Sequence, residues 1–269
     1  MNQEQIKAVI KEWVTNIAIL SEKIGSEFDR DTIHKFRVNV KKLRSFLRLL
    51  RMHTRETKMK MPRKFKRLYQ VAGAIRDAQL ELEKMGDSLV TLQAYITHLQ
   101  KVLERQKKEW NKHYSKKTIQ KLETRLLSCK YEPLHPAVLQ NFLTSRLDTI
   151  TRISNTEAPT DDQVHRIRKQ VKDILYTAKM TQKQWKSAKK ELHLLPIKKM
   201  NEVADAIGGY NDERTTLQHF HSFSSPAMKK TEAGTIEKIC KRERTKLEKD
   251  KKNILTLVKG MLQPPGLGE

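Results

Sequence analysis

In the segment after Asp31, the apolar residues Ile33, Phe36, Val40, Leu43, Leu47 and Leu50 recur at three- and four-residue steps. That is the spacing of one buried face of an amphipathic helix. With Gly (9) and Pro (8) both scarce in 269 residues, the chain has few places to turn. A β-rich protein of this size needs many more turn residues, so long helices are expected throughout. Breaks at Gly25-Ser26, Pro62 and Gly86-Asp87-Ser88 predict helices over ~3–24, ~32–54, ~62–84 and ~89–128, the last bent near Trp110–Ser115. After Tyr131-Glu132-Pro133-Leu134-His135-Pro136 the scheme resumes, with helices over ~136–153 and ~162–185 joined by a linker at 155–161. Pro196 precedes a seventh, running to ~222, and Ser224-Ser225-Pro226 precedes a final one over ~228–261. The expectation is an all-α chain of two four-helix bundles: one domain over 1–262, in halves 1–130 and 131–262, with a flexible tail at 263–269.

The polar positions change this picture more than the apolar ones. His34, Arg37, Lys41, Arg44, Arg48, Arg51 and Arg55 also follow three- and four-residue steps and stay within a sector of roughly 100° beside the apolar stripe. From Lys35 to Arg67 there are 14 Lys and Arg and a single acid, Glu56. A solvated helix face usually mixes charge signs, and this one does not. The whole chain follows suit, with 55 Lys+Arg against 31 Asp+Glu and a net charge of +24. Such an excess points to phosphate-rich polymers or anionic surfaces as partners. The planar fork of arginine suits bidentate contact with phosphate oxygens.

The chain also repeats itself. Ile33-His34-Lys35-Phe36-Arg37-Val38-Asn39-Val40-Lys41-Lys42-Leu43 matches Val164-His165-Arg166-Ile167-Arg168-Lys169-Gln170-Val171-Lys172-Asp173-Ile174 at an offset of 131. Phe65 to Ile75 matches Ile197 to Ile207 at an offset of 132, and Asp77 and Asp212 end the two motifs with three extra residues in the second copy. Two motifs in one order at nearly one offset indicate a duplicated unit with pseudo-two-fold symmetry. A groove between the copies would carry like chemistry on both walls. The candidate anion-binding residues are His34, Lys35, Arg37, Lys41, Lys42, Arg44, Arg48, Arg51, Arg63, Lys66 and Arg67 in the first copy. In the second they are His165, Arg166, Arg168, Lys169, Lys172, Lys179, Lys198 and Lys199. Leu175 takes the place of Arg44, so the first half is expected to supply more of the affinity. The two histidines suit contact with the anion, although a structural hydrogen bond is an alternative; a phosphate nearby would raise their pKa. Arg76-Asp77 and Asn211-Asp212 read as helix-end pairs or contacts to neighbouring cations, and Trp13, Trp110 and Trp185 as core.

The His-x-x-Arg-x-x-x-Lys helix, its repeat and the following apolar-x-x-Arg-Asp element resemble the CHAD family, the conserved histidine α-helical domain, over about residues 3–260. The resemblance implies two four-helix bundles and a basic central groove or pore that binds inorganic polyphosphate without known catalysis. It carries the first histidine motif onto His34, Arg37, Lys41 and Arg44, the second onto His165, Arg168 and Lys172, and the Arg-Asp element onto Arg76-Asp77. The sequence departs from the pattern at Leu175 and at Gly208-Gly209-Tyr210-Asn211. Related domains often accompany a triphosphate-tunnel domain, which Glu81-Leu82-Glu83-Lys84 imitates only superficially.

Other chemistry is not expected. There is no Gly-rich loop followed by Lys-Ser/Thr, no acid cluster suited to Mg²⁺ and no Ser-His-Asp arrangement. The sequence therefore reads as a binder, not an enzyme, with no cofactor and no metal. The principal alternative is DNA or RNA on the same cations, although no usual nucleic-acid motif is visible. A third reading is an adaptor that recruits proteins to polyphosphate granules through the final helix. Cys129 and Cys240 read as ordinary thiols of a reducing compartment, and no apolar run approaches the ~18 residues of a membrane span, so a cytosolic location is expected.

Overall fold

The computed structural model describes residues 1–52, 59–85, 92–184, 196–223 and 228–263, without the side chains of 179–184. Arg55, Glu56, the break at Gly86–Ser88, Trp185, Ser224–Pro226 and the tail from Pro264 lie outside the described residues. The described chain is helical: α1 (Gln3–Glu27), α2 (Arg30–Leu50), α3 (Arg63–Lys84), α4 (Gln93–His113), α5 (Lys116–Leu127), α6 (Pro136–Ser154), α7 (Asp161–Gln184), α8 (Ile197–Ser222) and α9 (Lys230–Leu262).

Local chemistry explains where the boundaries depart from expectation. Gly25 does not stop α1, which runs on until Phe28 adopts the left-handed conformation (φ 50). There the Phe28 N–H donates to the Ile24 carbonyl (3.0 Å), and Gln79 donates to the Phe28 carbonyl (2.8 Å). Asp29 caps α2 by accepting the Thr32 N–H at 2.7 Å, so the helix starts at Arg30, two residues before the expected ~32. The bend expected near Trp110–Ser115 is a full break: α4 ends at His113, and Ser115 caps α5 by accepting the Thr118 N–H. Trp110 itself is fully buried, edge-on to Phe36 at 5.5 Å, so core packing fixes that break. Thr160 and Gln163 form a capping box at the start of α7, each side chain accepting the other's backbone N–H.

Two compact units emerge. The first holds 1–133 together with 223–236, the second 134–222 together with 237–269. In the first, α1 packs on α2, α2 on α3, α3 on α4, and α5 on α1 and α3. Its core includes Ile6, Ile10, Ile17, Phe36, Val40, Leu43, Phe65, Leu68 and Tyr95, each at most 1% exposed. In the second, α7 packs against both α6 and α8, around Phe142, Ile150, Val164, Ile167, Val171, Met200 and Ile207. An Arg146–Asp173 pair at 3.5 Å joins α6 to α7 at a position that is Lys42 in the first copy. Helix α9 begins in the first unit and continues into the second. Cys129 and Cys240 are buried thiols that form no disulfide. Among the described residues, no helix is long and apolar enough to cross a membrane.

Candidate anion-binding site

Helix α2 buries Ile33, Phe36, Val40, Leu43 and Leu47, and this leaves its cationic row on the flank that meets α3. The guanidinium of Arg37 lies across α3 at Gly73, where any Cβ would strike it. Arg37 and Arg44 both sit over the ring of Tyr69, at 5.2 and 5.6 Å from its centroid. Tyr69 carries no signal in the sequence, because its partners belong to the preceding helix. Lys35 and Lys42 lie about 100° round α2 from the His34 row. That is the flank of Phe46, whose ring packs edge-on to Trp13 of α1 at 5.6 Å.

Beside Tyr69, residues of α2, of α3 and of their connection line a cavity of about 510 Å³. Its described lining includes Arg44, Arg48 and Arg51 from α2, Lys66 from α3, and Lys60 from the connection. No carboxylate is among these lining residues, and Leu47, Met59 and Met61 supply the apolar part. Lys60 is the residue sequence reasoning missed; it lies outside any helix, so no periodicity exposed it. Arg51 is anchored through Nε to the Leu47 carbonyl (3.2 Å). Burial, and then Arg48 and Arg44, pull its pKa below the usual guanidinium value. Arg63 is exposed at the start of α3, and Arg67 faces Glu109 of α4 at 3.6 Å.

In the second unit α7 packs on α8 as α2 does on α3. Arg168 packs on Gly208 of α8 and donates from Nε to the Ala204 carbonyl at 3.2 Å. Lys172 pairs with Asp205 at 3.2 Å, and Leu175 is buried in the core. Arg166 and Lys169 are exposed on α7, as are Lys198 and Lys199 in the first turn of α8. Lys179 lies in α7, its side chain among those not described.

These contacts revise the alignment of the second motif. Arg37 meets Gly73 and Arg168 meets Gly208, an offset of 135 rather than 132. His34 likewise feels Arg76, and His165 feels Asn211, again at 135. Phe65 therefore corresponds to Met200, not Ile197. A shift of three residues is close to one helical turn and keeps apolar positions on the same face, so sequence periodicity cannot detect it. Arg76-Asp77 and Asn211-Asp212 prove to be mid-helix, not helix-end, residues of α3 and α8.

Both histidines are held below the ordinary imidazole pKa. For His34 the causes are burial, then Arg76 and Lys41; for His165 they are burial, then Lys169, Arg168 and Arg214. Among the described residues, no group of three or more His, Cys, Asp or Glu could hold a metal ion. What the arrangement offers is a fixed set of hydrogen-bond donors and positive charges that repel one another until an anion neutralises them.

Fold and site together define a class: an all-helical protein in which a His/Arg/Lys helix, used twice, lays an arginine across a glycine of the next helix. The chain belongs to the CHAD domain family, whose sequence model matches residues 5–221. The crystal structure of the CHAD domain from the plant Ricinus communis shares the fold, with a TM-score of 0.72 over 97% of this chain and 91% of that one, at 16% identity. A comparison with curated proteins found no match.

Proposed function

We propose that this CHAD-family chain binds inorganic polyphosphate, without turning it over, on the α2/α3 face of its first unit, with the second unit a weaker participant. The observation that carries this reading is the 510 Å³ cavity lined by Arg44, Arg48, Arg51, Lys60 and Lys66 with no carboxylate among its described lining. A polymer with negative charge on every unit and no bases needs cations in a row and no stacking surface. The aromatic ring at this cavity, Tyr69, is already engaged by Arg37 and Arg44, which disfavours base stacking and hence single-stranded nucleic acid. The described lining of the cavity supplies guanidinium and ammonium donors and no carboxylate or imidazole base, so it suits holding phosphates rather than activating water. On this reading the protein works in the cytoplasm wherever polyphosphate accumulates, granules and their proteins included.

Titration calorimetry with polyphosphates of graded length tests the proposal. Affinity is expected to rise with chain length and to fall linearly in log K against log salt. Single- and double-stranded oligonucleotides serve as competitors. Displacement of long-chain polyphosphate by oligonucleotide at physiological salt would make nucleic acid the ligand instead. Equal affinity for pyrophosphate and long chains would remove the extended site.

A further inference from the structure

A second row of cations lies on α4, outside every residue assigned to the site so far. Lys101, Arg105, Lys108 and Lys112 are all exposed. They follow steps of four, three and four residues, which holds them within about 60° of one another along roughly 16 Å of helix. Lys112 pairs with Glu109 at 4.0 Å, whereas among the described residues no carboxylate forms an ion pair with Lys101, Arg105 or Lys108. Like charges at i,i+4 destabilise a helix, as Lys101/Arg105 and Lys108/Lys112 are spaced here; Glu104, one turn from Lys101 and Lys108, pairs instead with Lys107 at 2.7 Å.

The row also has a connection to the cavity. Helix α4 packs along α3, and the contact includes Arg67 of α3 facing Glu109 of α4 at 3.6 Å. Lys66 lines the cavity, and Arg63 and Arg67 lie about 60° and 100° round α3 from it, toward the Arg67–Glu109 contact with α4. Glu109 is shared among Arg67, His113 (3.1 Å) and Lys112, so this carboxylate is outnumbered where the two helices meet. The positive surface therefore runs from α2 over α3 onto α4 within the first unit.

We propose that the α4 row is a second phosphate-binding track, engaged by the part of a long polyphosphate chain that extends beyond the α2/α3 cavity. This rests on the polyphosphate reading and adds to it the reason long chains are preferred. A chain too short to leave the cavity makes no contact with α4. A longer one adds charges on α4 as an intramolecular event, at high effective concentration.

The test compares K101Q/R105Q/K108Q with a control that removes the same charge elsewhere, K117Q/K121Q/K130Q, whose lysines are also exposed in the first unit. Binding of triphosphate and of polyphosphate of about a hundred units is measured over a range of salt, with circular dichroism to verify helix content. The α4 variant is expected to leave triphosphate affinity unchanged and to weaken long-chain binding about tenfold. Its log K–log salt slope should be shallower by about 2, as loss of three phosphate contacts requires. The control should change neither quantity by more than about twofold. Equal losses in the two variants would reduce the effect to net charge, and an unchanged long-chain affinity in the α4 variant would show the row is unused; either overturns the inference while leaving the cavity reading intact. Failure of the unaltered chain to bind polyphosphate at all overturns both.

Discussion

At the scale of single residues, Gly73 is the position where chain chemistry and site geometry are most tightly joined. A Cβ there collides with the tip of a flexible side chain, Arg37, which can swing away. Replacing a mid-helix glycine by alanine contributes about 1 kcal/mol to helix stability. Losing the Arg37–Tyr69 contact costs about 0.5–1 kcal/mol. Gly73→Ala is therefore expected to leave the melting temperature nearly unchanged while lowering polyphosphate affinity several-fold, read from paired thermal melts and titrations. Unchanged affinity would remove Arg37 from the site. His34 gives a second prediction. Its folded pKa is depressed by burial and by Arg76 and Lys41, so between that value and the ordinary 6.5 the unfolded chain binds more protons. Stability of the free protein should then rise with pH through this window and fall on acidification. A bound phosphate polymer raises the same pKa, so affinity should increase as stability of the free protein declines. Melts and titrations between about pH 5.5 and 7.5 check both signs, and His34→Gln should flatten its contribution to each.

At the scale of elements, one buried carboxylate ties the returning chain to the first unit. Helix α4 starts at Gln93 with Leu92 at its N-cap and no capping side chain of its own. Glu232, 6% exposed in the first turn of α9, supplies the cap from 137 residues away by accepting the Tyr95 N–H at 3.0 Å. Its negative charge also complements the positive end of the α4 dipole. Tyr95 in turn donates through its hydroxyl to the buried Glu81 of α3 and packs edge-on to Phe223 at 4.9 Å. Glu232→Ala leaves a buried N–H without its acceptor and should cost about 1–2 kcal/mol in denaturant unfolding. Faster amide exchange confined to the first turn of α4 would identify the cause. In the second unit Asp161 plays the comparable part, accepting from Tyr210 (2.7 Å) and Lys251 (2.8 Å) beside Arg214. Burial alone would raise its pKa, but these partners hold it below the usual carboxylate value. Tyr210 is pushed well above the ordinary phenol range by burial and by that same carboxylate.

At the scale of the whole molecule, each unit lays an arginine of one helix against a glycine of the next, and the two differ in the charge around that contact. Where the first presents Arg44, Tyr69 and a cavity with no acid among its described lining residues, the second has Leu175, Ala204 and the Lys172–Asp205 pair. Reversing Arg44 and Arg48 to Glu is expected to weaken long-chain binding by well over tenfold. Lys172→Glu should change it by no more than about threefold, since Asp205 already neutralises that lysine. Titration of both variants at one salt concentration, with helix content verified, decides it. Comparable losses would mean that the units contribute equally.

How much was legible beforehand follows from what each level of organisation depends on. The helices came from three- and four-residue periodicity and scarce turn residues, which are properties of neighbours in sequence. The cationic row of α2 and its recurrence at His165, Arg168 and Lys172 were visible for the same reason. The position where α1 stops was not, because Phe28 takes a left-handed conformation with the help of Gln79, 51 residues away. Nor were the true partner of Gly73, the engagement of Tyr69, the contribution of Lys60 or the neutralisation of Lys172, each of which needs a second helix to be in place. Sequence by itself determined that this chain is helical, duplicated and strongly basic, since helix propensity, repetition and charge are local or additive. Tertiary structure alone decided which cations meet one another and which meet a carboxylate, since those energies depend on distances across helices that no single helix encodes.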